Sequence, residues 1–293
     1  MMRFFIPIVI FTFAFSRGAQ RILTALALEH LDPWTISGAS LTIATIFWIP
    51  FAAWKGWLVT DTKLWLRCIP LGIINIAIPA VAFIAAQRFV SASAAALLVS
   101  SMPILIAVLA SSLLGERLRP KAVVGIAVGT LGVITLTFGK GGSLNGQSWA
   151  AGLILIAIGV VAASAVYVGW RNLLSEYRGV EILAPQLVIS VVVVLPVALA
   201  TGFSASLLPQ LPLLTALSIV NFVFPQIAMF WLIARTTAVR AALANYFAPL
   251  IATTLAVPIL GQKVTPLIIV GGVFIITGAI FINTARQRTT KDR

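Results

Sequence analysis

Two arginines stand four residues apart in an otherwise apolar run, "FTFAFSRGAQRILTALAL", residues 11–28. Within a membrane such a cation costs several kcal/mol unless it faces water, a partner or an anion. At 1.5 Å per residue, Arg17 falls about 20 Å along its helix, past the centre of the run. Arg21 lies near enough to the interface for its apolar stem to snorkel. Arg17 is the expected anchor for a substrate carboxylate, with nearby aromatic rings meeting an apolar body.

A second group is built from amides and prolines. Asn75 precedes Pro79 by four residues, as Asn221 precedes Pro225, so each pair shares a helix face. A proline in a helix frees the carbonyl four residues back and kinks the rod. Inside a membrane that carbonyl must find a new partner or face a cavity. Phe15, Ser16, Gln20, Phe83, Ser100, Ser164, Tyr167, Gln226, Asn245 and Tyr246 fall near the same depth. Together with Arg17, Asn75, Pro79 and Asn221 they are expected to line a mildly polar, aromatic central cavity. Pro103 and Pro249, near the centres of their runs, are the expected hinges.

The missing groups narrow the chemistry. The acids Glu29, Asp32, Asp61, Glu116, Glu176, Glu181 and Asp292 all lie in loops or at the ends of apolar runs, and His30 lies in a loop. No Asp pair, Ser–His or Ser–Lys set or metal cluster can be assembled within the runs, so neither enzyme activity, metal nor cofactor is expected. Proton coupling through a buried carboxylate is disfavoured for the same reason. Cys68 stands alone and forms no intramolecular disulfide or Cys-based metal site.

The elements that must carry these residues follow from composition. Hydrophobic residues make up 60% and charged residues 9% of the 293, with a mean hydropathy of +1.09. A soluble domain needs about a quarter of its residues charged. The basic excess, 20 Lys and Arg against 7 acids, has no soluble surface on which to bind nucleic acid. Apolar runs of spanning length occupy 4–26, 33–54, 66–87, 91–114, 121–138, 149–170, 182–202, 211–234, 239–260 and 264–284. Backbone polar groups must be satisfied within the bilayer, so ten helices are expected: an all-α polytopic membrane protein. With the N-terminus inside, Lys and Arg in the linking segments divide fifteen to three in favour of the cytoplasm, which places both termini there. Six of the tryptophans (Trp34, Trp54, Trp57, Trp65, Trp149, Trp170) sit near run ends, as an interfacial belt predicts. Trp48 and Trp231 lie deeper and are expected to face lipid.

The chain also repeats. "LLGERLRPKAVVG", 113–125, is matched by "ILGQKVTPLIIVG", 259–271, at an offset of 146. The same offset pairs Pro50 with Pro196, Asn75 with Asn221, Pro79 with Pro225, Pro103 with Pro249 and Gly132 with Gly278. Two five-helix units, 1–140 and 141–293, are expected. Five is odd, so the second unit enters the membrane from the opposite side, giving inverted repeats about an axis in the membrane plane. The first "GERLRPK" is then cytoplasmic and its copy external, where basic residues are selected against. Halves of opposite orientation suit a carrier that opens to one side while closing to the other. Small residues in "SASAAALLVSS" and "AVRAALA", and Gly125-x-x-x-Gly129, allow close helix approach.

Two stretches carry a resemblance. "SASAAALLVSSMPILIAVLASSLLGERL" with "VVGIAVGTLGVITL" resembles the fourth- and fifth-helix signature of EamA-like members of the drug/metabolite transporter superfamily. "ALANYFAPLIATTLAVPILGQKVT" with "VGGVFIITGAIF" is similar to its second copy. Within the superfamily the chain looks most like bacterial aromatic amino acid exporters. The resemblance implies an inner-membrane exporter of amino acids or related amphiphilic metabolites; a broad-specificity drug or metabolite efflux carrier is the alternative. It implies a path lined by helices 1, 3, 4, 6, 8 and 9, supported by helices 5 and 10. The chain departs from the pattern in three places. "FSRG" replaces the usual Trp-Gly of helix 1, "PWTISGASL" lacks the Arg common on helix 2, and Gln262 replaces the acid of the second "LGE". A facilitator is expected rather than a proton antiporter, with small molecules and the lipid bilayer as partners, as a monomer or weak homodimer.

Overall fold

The computed structural model describes residues 2–86, 88–89, 99, 102, 105–106, 109, 112, 120–139, 149–201, 207–236, 241, 244–260 and 265–284. The fourth expected helix, 91–114, lies largely outside the described residues, and within these the apolar runs fold as helices. In chain order they are α1 (Met2–Leu28), α2 (Pro33–Trp54), α3 (Thr62–Ala86), α4 (Pro120–Gly139), α5 (Trp149–Leu173), α6 (Gly179–Ala200), α7 (Leu211–Arg235), α8 (Ala244–Leu260) and α9 (Pro266–Thr284). Among the described residues, six helical stretches are long and apolar enough to cross a membrane: Phe5–Leu28, Pro33–Trp54, Thr62–Ala86, Ala150–Tyr167, Gly179–Ala200 and Leu211–Arg235. Large apolar side chains such as Phe11, Phe47, Leu66, Val192 and Leu199 cover the outside, the arrangement a lipid solvent requires. No described residue lies in a strand.

Local chemistry sets the helix ends. Asp32 caps α2: Oδ1 accepts from the backbone N–H of Trp34 at 2.9 Å and Thr35 at 3.1 Å, and Pro33 fills the first helical position, where no donor is needed. At α6 the Arg178 backbone N–H donates to Glu181 Oε2 at 2.8 Å. Asp61 starts α3 by accepting from the Lys63 N–H at 3.0 Å.

At the two Asn-Pro pairs the expected kink takes the form of a widened turn. Ile73–Ala77 in α3 and Ile219–Val223 in α7 are π-helical, and the two segments stand 146 residues apart. Pro79 and Pro225 lack the N–H that would bond Asn75 and Asn221 in an α-helix. The ladder widens one residue earlier, with Ile78 N–H donating to Ile73 and Phe224 N–H to Ile219, five residues back. Such single π turns recur at functional sites.

Close packing is set by glycine. A Cβ on Gly132 of α4 would lie 2.6 Å from Ile275 N and 2.7 Å from Gly271 O of α9. A Cβ on Gly278 would lie 2.5 Å from Gly129 N and 2.6 Å from Gly125 O. Moving toward the start of α4 thus moves toward the end of α9, so the two helices run antiparallel with backbones touching. Gly18 of α1 meets α8 in the same way, 2.9 Å from Ala252 N.

Two tryptophans depart from expectation. Trp48 is 4% exposed rather than lipid-facing, because the end of α2 folds back: its ring packs with Phe51 and Trp57, centroids 5.7 and 6.2 Å away. Trp170 is 1% exposed and belongs to no interfacial belt; it meets Phe230 of α7 edge to face at 4.8 Å.

Candidate functional site

Helical spacing selects the walls of a central cavity of about 1100 Å³, its open part included. From α1 come Phe13, Arg17, Gln20 and Arg21, spaced as one face of a helix. The π turn of α3 and the residues after it supply Asn75, Ile76, Pro79, Ala80 and Phe83. α5 supplies Ala163, Tyr167 and Trp170; α7 supplies Asn221, Phe222, Gln226 and Met229; α8 supplies Asn245 and Ala248. Val99 and Met102 complete the wall. A chamber of this kind, largely apolar with a few converging polar groups, suits a small ligand.

Most of these residues are partners at the 146-residue offset: Arg17 with Ala163, Arg21 with Tyr167, Asn75 with Asn221, Ile76 with Phe222, Ala80 with Gln226, Phe83 with Met229, Val99 with Asn245 and Met102 with Ala248. The positions are repeated; apart from the shared Asn75 and Asn221, the chemistry is not. Both cations belong to the first half, whereas the second half places Tyr167, Gln226 and Asn245 where the first has Arg21, Ala80 and Val99.

Hydrogen bonding follows that division. Arg17 Nη1 donates to Asn221 Oδ1 at 3.0 Å and to Gln20 Oε1 at 3.3 Å, and its Cζ lies 5.6 Å from the centre of the Phe13 ring. All three partners are neutral. Asn75 bonds elsewhere, its Nδ2 donating to Oε1 of the buried Gln186 on α6 at 3.5 Å. Asn245 Nδ2 donates to Tyr167 Oη at 3.2 Å, and the Tyr167 and Trp170 rings lie 5.4 Å apart.

Of the residues singled out in the sequence, Arg17, Gln20, Asn75, Pro79, Phe83, Tyr167, Asn221, Gln226 and Asn245 meet at this cavity. Phe15 does not: it is 46% exposed and stacks on Phe11 at 6.3 Å, because two residues of helix turn it away from the face of Phe13 and Arg17. Ser16 and Ser164 are buried in helix contacts rather than in the cavity wall, one position off the faces of Arg17 and Ala163. Ser100 and Pro103 lie outside the described residues, as do the side chains of Tyr246 and Pro249; the backbone of α8 is helical through both positions. The structure adds Phe13, Arg21, Trp170 and Gln186. Arg21 stands one turn beyond Arg17 and lines the cavity with it. The spacing of three from Tyr167 is the signal that points to Trp170. For Gln186, on a helix outside the wall, the sequence holds no signal.

At one end of the bundle, away from the cavity, Glu176 Oε2 pairs with Arg67 Nη1 at 2.8 Å and Lys63 Nζ at 3.3 Å. These cations hold the Glu176 carboxyl below its ordinary range, Arg67 first. Beside them the Tyr177 hydroxyl donates to Asp61, which lowers the Asp61 carboxyl and raises the Tyr177 phenol.

Comparisons with known proteins agree with this architecture. The chain is 28% identical over 151 residues to the uncharacterized inner membrane transporter YedA of Escherichia coli (strain K12), covering 51% of this chain and 48% of YedA; the match thus spans about half of that relative's length. It is 25% identical over 196 residues to a probable terminal-alkyne amino-acid exporter of Streptantibioticus cattleyicolor, 66% of this chain and 65% of that protein. A protein solved by crystallography shares the fold with a TM-score of 0.75 at 20% identity, over 94% of both chains. The model of the EamA-like transporter family matches twice, at residues 4–138 and 150–284. Because that model covers nearly the whole chain in two copies, this chain belongs to the EamA-like transporter family.

Proposed function

We propose that the protein exports amino acids, aromatic or hydrophobic ones foremost, or related small amphiphilic metabolites across the inner membrane by alternating access. The observation that carries this reading is the cavity wall, drawn from equivalent positions of both halves and closed around Arg17. On this reading 1–140 and 141–293 are two five-helix repeats of opposite orientation, with ten spans and both termini cytoplasmic. The antiparallel contact of α4 with α9, in which Gly132 and Gly278 play equivalent parts, supports that relationship. So do the matched π turns of α3 and α7. Pro103 and Pro249 serve as hinges, and the Asn-Pro turns supply further give beside the cavity. Among the described residues no carboxylate lines the cavity, which favours facilitated movement over proton exchange. The name of the Streptantibioticus relative, an amino-acid exporter, points to the same class of cargo.

Counterflow tests this reading. Proteoliposomes loaded with unlabelled phenylalanine or 3-phenylpropionate, with the labelled compound outside and no pH gradient, are expected to accumulate label from at least one of the two. Accumulation of neither overturns the cargo class, and accumulation only under an imposed pH gradient overturns the facilitated mechanism.

A further inference from the structure

We propose that Arg17 and Arg21 together form an anion site and that, within the cargo class proposed above, the cavity prefers the related organic anions with an apolar body to the zwitterionic amino acids themselves. This rests on reading the cavity as the transport site. Both arginines line it, one turn apart on the same helix face. Arg17 bonds the neutral oxygens of Asn221 and Gln20 within the cavity. The described ion pairs belong to Glu176 with Lys63 and Arg67, at the end of the bundle. Among the described residues no Asp or Glu lines the cavity, and none occurs in the interior of any of the ten apolar runs, those outside the described residues included. Among the described residues the chamber therefore holds two guanidinium groups and no fixed negative charge.

A bound carboxylate relieves that charge; an ammonium group adds to it. At an effective dielectric constant of about 20, like unit charges about 6 Å apart repel strongly enough to lower affinity by about a hundredfold. The ammonium of an amino acid finds no carboxylate here to offset this. The rest of the wall is apolar and aromatic, with Phe13, Phe83, Trp170, Phe222 and Met229 around it. The second half places Ala163 and Tyr167 where the first places Arg17 and Arg21, so the cations occupy one side. The ligand's charge lies against α1 and its ring against α3, α5 and α7. Net anionic cargo also supplies a direction: an inside-negative potential favours its exit by about fiftyfold per charge at about 100 mV, with no proton required.

A ligand series that shares one aromatic ring and differs in charge tests the assignment: benzylsuccinate (dianion), 3-phenylpropionate (anion), phenylalanine (zwitterion) and phenethylamine (cation). Equilibrium dialysis against the purified protein at neutral pH is expected to show both anions binding at least about tenfold more tightly than phenylalanine, and no binding of the amine. Arg21→Gln is expected to weaken benzylsuccinate at least about tenfold and 3-phenylpropionate less, with Arg21→Lys partly restoring it. In proteoliposomes, a valinomycin-imposed inside-negative potential is expected to speed efflux of the anions and leave phenylalanine efflux unchanged. Phenylalanine binding as tightly as 3-phenylpropionate, or none of the four binding, overturns the anion site. Anion-selective binding without transport upholds the site and overturns the carrier reading. Phenylalanine transport with zwitterion-selective binding does the reverse.

Discussion

Arg17 Nη1 reaches Asn221 Oδ1 at 3.0 Å, across 204 residues of sequence. The bond ties α1 to the π turn of α7 and leaves the rest of the guanidinium facing the cavity. Charge-assisted hydrogen bonds contribute about 1.5–3 kcal/mol. Arg17→Ala is accordingly expected to weaken binding of a carboxylate ligand by at least about tenfold, measured by equilibrium dialysis. Asn221→Ala is expected to do less, because Gln20 still orients the guanidinium at 3.3 Å. Equal effects from both variants would mean that Arg17 holds the bundle together rather than the ligand.

Pro79 and Pro225 keep the π turns open by withholding an N–H. Pro79→Ala restores the donor, lets the Asn75 carbonyl re-form an α-helical bond and turns Asn75 away from the cavity. The expected outcome is slower counterflow with an unchanged or raised thermal midpoint, read by transport and unfolding on the same preparation. Slower transport with a lowered midpoint would assign the proline to stability alone.

The α4–α9 contact has no room for a side chain at its two crossing glycines. Gly132→Val and Gly278→Val each drive a side chain into backbone atoms less than 3 Å away, an overpacking that costs about 1–3 kcal/mol or more. Both are expected to lower the thermal midpoint by several degrees. Gly272→Ala is the control: its Cβ would meet only the Leu250 Cδ1 methyl, at 3.2 Å, and a small shift is expected. A control as damaging as the two valine variants would show that the contact is not governed by backbone approach.

Glu176 makes stability depend on pH at one end of the bundle. Its carboxyl is held below the ordinary value of 4.5 by Arg67 and Lys63, so the folded form binds its proton less readily than the unfolded chain. The contribution is present above the unfolded value and is lost as pH falls through the folded one. All three side chains are substantially exposed, so the effect is small and screened by salt. Glu176→Gln is expected to lower the midpoint slightly near neutrality and to flatten its decline in acid, with the difference shrinking in high salt. A difference that persists unchanged below about pH 4 would point to packing rather than charge.

Several features are legible in the residues because they depend on counting along the chain. The length and polarity of the apolar runs dictate helices; the missing acids dictate a cationic interior; the 146-residue offset dictates which positions are equivalent. Face selection within a single helix is partly legible too, since the four-residue spacing of Asn75 and Pro79 puts both on one face, the face that lines the cavity. Phe15 escapes this reasoning because depth along a helix says nothing about rotation around it.

What the sequence determined, then, is the helical, apolar character of its runs, the equivalence of positions at the 146-residue offset and the absence of negative charge within those runs. Only the tertiary structure decided which of two equivalent residues does what. It gave Asn221 to Arg17 and Asn75 to Gln186, drew Arg21 into the cavity, and buried Trp170 against Phe230. A single helix allows its long polar and aromatic side chains several destinations of similar energy. The choice among them is made by the neighbouring helices, whose rotation and approach depend on packing between residues far apart in the chain.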